Sequence, residues 1–326
     1  MDQAAYSLDI IPALFSIQDD GGLFVIWSDD GHVSLYPAAW LRHQGRPPLT
    51  LPPRRPWGGE LAEHLPRFDF GAVMRRDDAL LDWLGTLRQT GLSFIDDAPT
   101  IAGTVGDLAR RIGTLRETNF GGLFDVVAVP GAISNAYTAA ALPLHVDLPA
   151  REQQPGIQFL HCLANEAQGG HSIYCDGLAV AERLRVEDGA AFQVLSETQI
   201  IFRYHDEDTD YQMLAPLIGL DRDSAVWEIR FNAAIMTIAE CSPAAYREFQ
   251  RVHRRFQALT RDPDQRAERR MRPGEIAVFD NRRVLHGRHA FSEGAGEEGR
   301  RRHLRGAYVK WEDVNSKIRV LRRHLH

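Results

Sequence analysis

Cysteine is scarce in this sequence. Three residues of 326, Cys162, Cys175 and Cys241, are too few and too scattered for a disulfide framework or a zinc knuckle. They fit a reducing compartment. Long apolar runs are absent as well: nothing approaches the ~20 consecutive residues that a bilayer span needs. The opening stretch MDQAAYSLDIIPALF has neither a basic region nor a continuous apolar core, so it does not read as a signal peptide. A soluble, cytoplasmic protein is the expectation. Basic charge is not in surplus either. The formal net charge of −6 leaves no nucleic-acid footprint and no membrane-binding stripe, which argues against both as partners. There is no internal repeat and no low-complexity tract.

What is present suits one large domain, or a main domain with a small appendage, and is long enough to bury a sizeable core. Residues 8–42 read as a small β-unit. Phe24-Val25-Ile26-Trp27 and Val33-Ser34-Leu35-Tyr36 flank an Asp-Gly turn, Ser28-Asp29-Asp30-Gly31, and Pro37 opens a short helix. Residues 45–59 are crowded with Pro and Gly and form a linker. This predicts a small N-terminal α+β domain at 1–58 and a main domain at 59–326. In the latter, Leu80, Leu81, Leu84 and Leu87 recur at helical spacing over 77–90, a strand follows at 92–95, and 101–115 is a second amphipathic helix. Short β-like runs come next, at 132–137, 157–163, 172–174, 192–202, 226–231, 275–279 and 305–311. Helices near 178–185 and 243–260 interrupt them. Many short strands with few helices predict a mainly β sandwich or barrel with flanking helices.

The chemistry gathers around His145-Val146-Asp147. On an extended segment residues two apart point to the same side, so one imidazole and one carboxylate converge. They are two of the three ligands of a 2-His-1-carboxylate face, which holds non-haem Fe(II) and leaves its other positions open. In a chain with 13 His and 44 acidic residues such a triplet also arises by chance and needs support. His286 offers it. It ends the apolar run Val284-Leu285, and Gly287 behind it would let the backbone turn sharply. Arg302 follows downstream, before Leu304 and Gly306-Ala307-Tyr308 on a strand into the core, where a guanidinium fork could hold a carboxylate. Each residue has an ordinary reading too. The histidines could be hydrogen-bonded in the core, Asp147 could cap the turn at Pro149, and the arginines at 300–305 could be a solvated run. These readings leave the order unexplained: His-x-Asp, a long insert, a strand-ending His-Gly, then an arginine.

Longer landmarks accompany that order. They are Asn135-Ala136-Tyr137-Thr138, Pro155-Gly156-Ile157-Gln158-Phe159-Leu160-His161-Cys162, Gly169-Gly170, Asp176-Gly177, Phe279-Asp280-Asn281 through His286-Gly287-Arg288, and Arg302-His303-Leu304-Arg305-Gly306-Ala307-Tyr308. With them the sequence resembles, nearly end to end, the γ-butyrobetaine/trimethyllysine dioxygenase branch of the TauD-like Fe(II)- and 2-oxoglutarate-dependent oxygenases. The resemblance implies a double-stranded β-helix, a cupin-like jelly roll, with iron on His145, Asp147 and His286. Arg302 would hold the distal carboxylate of 2-oxoglutarate, although a strand shift by one residue would put Arg301 in its place. O2 is the other cosubstrate, ascorbate the usual assay reductant, and succinate and CO2 the co-products. An Asp at 147, rather than Gly or Ala, leaves no vacancy for a halide and favours hydroxylation over halogenation.

For the substrate, the family's aromatic cage for a trimethylammonium group is matched by Phe120, Phe124, Tyr137 and Tyr308, which could equally be core aromatics. Asn135 joins this set, and Leu148 and Asn232 stand where the pattern departs. Leu148 replaces an aromatic, and Phe231-Asn232-Ala233-Ala234 replaces paired asparagines. Arg203 and Arg230 could offer charge to an anionic tail, or be solvated or paired. The family's small domain carries zinc on three cysteines and a histidine. Here His43-Gln44-Gly45-Arg46 stands in that place without a cysteine, so no zinc is expected, the appendage is held by its own packing, and a homodimer is left open. The expected activity is hydroxylation of an unactivated C–H bond in a small amine or quaternary ammonium compound. The alternatives are the same chemistry on an amino acid or natural-product intermediate, and, more remotely, a metal-binding β-helix protein without turnover.

Overall fold

The computed structural model describes residues 9–44, 51–128, 138–239, 241–292 and 302–325. The chain forms two compact units, Met1–Thr50 and Leu51–His326. The first is a three-stranded antiparallel sheet, Pro12–Ile17, Leu23–Trp27 and Val33–Tyr36, followed by the helix Ala38–Gln44. The expected hairpin and helix are both there. Val25 and Ala38 are the buried apolar side chains among its described residues, which is little packing for a sheet to stand on.

The second unit is built on two sheets. One has six strands in the order Arg67–Asp69, Leu92–Asp96, Ile276–Asp280, Ile157–Asn165, Arg302–Val309, Leu123–Val127. The other has four, in the order Arg266–Arg269, Ser172–Asp176, Val284–Arg288, Leu142–His145. Apart from the parallel pair Arg67–Asp69 and Leu92–Asp96, neighbours run antiparallel. Alternation along the strands gives each face its job. Ile157, Phe159, Ile276, Val278, Ala307 and Val309 point to one side. There they meet Leu80, Trp83, Leu84 and Leu87 of the helix Asp77–Thr90, with Leu108 and Ile318 from the helices Thr104–Ile112 and Trp311–Leu325. Leu160, Cys162, Ala277, Phe279 and Leu304 point the other way and meet Tyr174 and Val284 of the four-stranded sheet. This is a mainly β jelly-roll core with flanking helices. A further apolar cluster packs the helices Gly177–Glu187, Gly189–Glu197 and Pro243–Arg261 against the strands Ile200–His205 and Met236–Ile238.

One buried ion pair ties this architecture together. Arg283 grips Asp176 through Nε (2.9 Å) and Nη2 (2.7 Å), and its remaining donors reach the carbonyls of Gln89 and Arg55. Asp176 also accepts the Trp57 N–H at 3.1 Å. Trp57 is thereby seated in the core, so residues 51–58, expected in the small domain, belong to the larger unit.

Three expectations need correction. The apolar run 192–202 is a helix, Gly189–Glu197, capped by Asp188 and followed by a strand beginning at Ile200. The last strand is Arg302–Val309, and Trp311 starts a helix rather than closing the strand. Gly287 does not turn the chain: it lies inside the strand Val284–Arg288, at a bulge in the pairing with Leu142–His145. A Cβ there would stand 2.6 Å from the Leu142 carbonyl, so close approach of the neighbouring strand is what requires glycine. The expected strand at 132–137 lies outside the described residues.

Candidate active site

The strand pairing sets the site. His145, at the end of its strand, is the register partner of His286, and the two ring centres are 4.4 Å apart. Asp147 lies beyond the strand end, but Val146 still turns its side chain into the core, so Asp147 shares the side of His145. The Val146 N–H donates to the Phe231 carbonyl (2.8 Å). Asn281 holds the Asp147 backbone from both ends: its Oδ1 accepts the Asp147 N–H at 2.7 Å and its Nδ2 donates to the Asp147 carbonyl at 2.9 Å.

The carboxylate is used asymmetrically. Its Oδ2 accepts from Gln158 Nε2 and from the Tyr308 hydroxyl, each at 2.7 Å. Its Oδ1 lies 3.2 Å from His145 Nε2 and 3.6 Å from His286 Nε2. One ligand atom from each of the three residues falls within 4.8 Å of the others. His145 Nδ1 is 2.8 Å from the Pro143 carbonyl, which calls for the ring proton on Nδ1 and leaves the Nε2 lone pair facing Oδ1. Two lone pairs facing each other in a buried place call for a positive charge between them, a proton or a metal ion. The charges agree. Burial works against the Asp147 carboxylate, yet His286 and His145 hold it well below the usual carboxylate range. Burial opposes charge on His145, which Asp147 outweighs, raising its pKa; at His286 burial and the neighbouring His145 win and lower it. The residues present fit a divalent ion bound by two imidazoles and one carboxylate oxygen.

Arg302 opens the strand Arg302–Val309 and is buried. Its guanidinium carbon lies 5.4 Å from the centre of the Phe291 ring, and its Nε has no acceptor. Burial lowers its pKa, and among the described residues the groups that act on it are Cys162 and Tyr174, not a carboxylate. A buried guanidinium in this condition fits an anionic ligand. Arg301 lies outside the described residues.

The other sequence-predicted residues divide. Phe124 and Tyr308 are stacked, with centres 4.9 Å apart and planes at 25°. Gly306 allows this, since a Cβ there would come 2.2 Å from the Phe124 ring. Phe120 instead meets Tyr204 edge-on at 6.3 Å. Leu148 takes a left-handed conformation, φ 53°, directly after Asp147. Asn232 closes a local turn, its Oδ1 accepting the Ala234 N–H at 3.1 Å. Tyr137 and Asn135 lie outside the described residues. Arg203 pairs with Asp210, and Arg230 is buried on the carbonyls of Pro149, Arg151 and Glu152, so neither is left for an anionic tail. Sequence reasoning missed Gln158 and Asn281. The signal for Gln158 was a polar residue inside the apolar run Ile157-Gln158-Phe159-Leu160.

The family model for taurine catabolism dioxygenase TauD, TfdA family, matches residues 49–308. The chain belongs to the TauD/TfdA dioxygenase family. It resembles the γ-butyrobetaine dioxygenase of Pseudomonas sp. (strain AK-1), with 44% identity over 322 residues, 97% of this chain and 82% of that one. The γ-butyrobetaine dioxygenase of Homo sapiens is 34% identical over 324 residues, covering 95% and 82%. The mitochondrial trimethyllysine dioxygenase of Rattus norvegicus is 28% identical over 335 residues, covering 99% and 77%. Two solved oxygenases share the fold. PvcB, an Fe, α-ketoglutarate-dependent oxygenase, matches with a TM-score of 0.54 at 23% identity over 71% of this chain and 80% of its own. Asparagine oxygenase with Fe(II), hydroxyasparagine and succinate matches with a TM-score of 0.54 at 18% identity, covering 77% and 91%. This TauD/TfdA member is therefore an Fe(II)- and 2-oxoglutarate-dependent dioxygenase. No helix of its described residues is long and apolar enough to cross a membrane.

Proposed function

We propose that this dioxygenase hydroxylates an unactivated C–H bond of a small quaternary ammonium or amine compound, with His145, Asp147 and His286 as the iron ligands and Arg302 as the anchor for the distal carboxylate of 2-oxoglutarate. The observation that carries the reading is the split use of Asp147: one oxygen is closed off by Gln158 and Tyr308, and the other faces two histidine Nε2 atoms. Bound Fe(II), 2-oxoglutarate and O2 supply the oxidation, which leaves succinate, CO2 and a hydroxylated carbon. The chain's own residues do the rest. Gln158 and Tyr308 fix Asp147 as a one-oxygen ligand, so positions on the metal stay open. Because its hydroxyl is committed to Asp147, Tyr308 has a ring stacked with Phe124 to offer rather than a hydrogen bond, which suits a cation. The names of the relatives favour a trimethylammonium compound. Leu148 and Asn232, which depart from their pattern, favour a substrate other than γ-butyrobetaine itself. The first compact unit, Met1–Thr50, is read as the counterpart of the family's small domain, without cysteine-bound zinc.

The test is oxygen uptake with Fe(II), ascorbate and 2-oxoglutarate across trimethylammonium, primary amine and neutral compounds, with succinate measured in parallel. Uptake coupled to trimethylammonium compounds is expected. Uptake that neutral compounds stimulate as well would overturn the cation preference and leave the oxygenase.

A further inference from the structure

Arg54, Arg88 and Arg282 gather around two indoles. The guanidinium carbons of Arg54 and Arg282 lie 4.8 and 5.5 Å from the centre of the Trp227 ring, and that of Arg88 lies 5.3 Å from the Trp311 ring. Arg54 also donates through Nη1 to the Trp227 carbonyl at 2.7 Å. Each of the three keeps a buried donor without an acceptor: Nη2 of Arg54, Nε of Arg88 and Nε of Arg282. None forms an ion pair among the described residues. The charges strain one another. Burial, and then the nearby Arg54, push Arg88 down to about 10, and burial lowers Arg54 as well.

The usual sinks for such charge are already taken. Arginines near a helix C-terminus commonly bind its last carbonyls. Here, at the end of Asp77–Thr90, the Gln89 carbonyl accepts from the Arg55 N–H and Arg283 Nη1, and the Thr90 carbonyl accepts from Trp57 Nε1. Of the two acids that act on Arg54, Asp176 is gripped by Arg283, and Asp280, which acts on Arg88 as well, accepts the Arg282 backbone N–H at 3.0 Å and forms no ion pair among the described residues. On Trp311's own helix, Glu312 pairs with Lys310. Three guanidinium groups with unused donors, set against the one carboxylate of Asp280, leave an excess of positive charge that a bound oxyanion satisfies, because the guanidinium fork matches its oxygens.

We propose that Arg54, Arg88 and Arg282 form a binding site for a multivalent oxyanion of the phosphate class, distinct from the anion site at Arg302. It does not depend on the hydroxylase reading. Asp280 and Arg282 flank Asn281, the residue that seats Asp147, so an anion held there braces the loop behind the candidate metal ligand.

The test is thermal unfolding of the full chain with 2-oxoglutarate at saturation, so that the Arg302 site is filled, as inorganic phosphate replaces chloride at constant ionic strength. A saturable rise in Tm of about 2–4 °C is expected in the wild type and not in the Arg54→Gln/Arg88→Gln double variant. General exclusion of phosphate from protein surfaces stabilises every variant alike and without saturation. That pattern, an adventitious ion only, overturns the proposal. So does a saturable response to succinate with none to phosphate. Should the double variant fail to fold, Arg282→Gln is read by phosphorus NMR: broadening of the phosphate line that persists in this variant also overturns it.

Discussion

Gln158 and Tyr308 are register partners across adjacent strands, and both donate to the same oxygen of Asp147. The arrangement makes the carboxylate's orientation a property of strand pairing. A loop side chain would swing between one-oxygen and two-oxygen ligation; this one is held from behind.

Tyr308→Phe removes one of the two holders while keeping the ring over Phe124. Partners of metal-binding carboxylates commonly contribute 10–100-fold to metal affinity. An Fe(II) titration, followed by the charge-transfer absorption of the anaerobic 2-oxoglutarate complex, should shift by about 10-fold. An unchanged titration would show that Gln158 suffices.

Arg302→Gln should raise the KM for 2-oxoglutarate by on the order of 100-fold, since truncating one partner of a buried charge pair costs about 2–5 kcal/mol. Arg302→Lys should recover little, because an ammonium cannot reproduce the bidentate fork. Steady-state kinetics in 2-oxoglutarate at fixed substrate would decide it. Recovery by lysine would mean that charge alone holds the ligand.

Arg283→Met strands Asp176, which is fully buried. Breaking a buried pair costs about 3–5 kcal/mol. Urea unfolding should show that loss, and the Arg283→Met/Asp176→Leu double variant should be less destabilised than the two single losses added together. Additivity would mean that the two residues act separately.

His161 is buried, neither ring nitrogen has a partner, and burial, with His303 nearby, pushes its pKa down to about 4. The unfolded chain binds the proton more readily, near pH 6.5. Stability therefore falls as pH drops from about 6.5 to about 4, by on the order of 3 kcal/mol, and this term is flat below that window. His161→Phe should unfold with a shallower pH dependence across the same range. Parallel curves for the two proteins would refute the assignment.

The sequence made His145, Asp147 and His286 visible for a simple reason. Strand alternation places the first two on one side, and a histidine at the end of an apolar run tends to reach a shared interior. Arg302 came from the family resemblance, because strand alternation alone does not choose between it and Arg301, one step away. Asn281 was hidden because its work is done on a backbone 134 positions away, which no local pattern encodes. Gln158 was visible as a polar intruder but not as a carboxylate's partner. The misread run 192–202 has a similar cause. Its first part, Ala191, Phe192 and Leu195, buries at helical spacing, and neither Gly nor Pro marks the change to a strand after Thr198. The expected aromatic set is brought together only in part. Phe124 and Tyr308 sit on paired strands and meet as expected, whereas Phe120 sits in a turn whose neighbour, Tyr204, comes from a distant hairpin.

The candidate metal ligands and their holders sit on the paired strands or are clamped to them, while Phe120, Leu148 and Asn232 occupy turns that carry no strand register. On the proposed reading, descendants of this gene could change diet without relearning how to oxidise: loop substitutions at those three positions would alter which molecule fits while the strand-held core stays as it is, so one scaffold could be the common stock for enzymes of unrelated pathways.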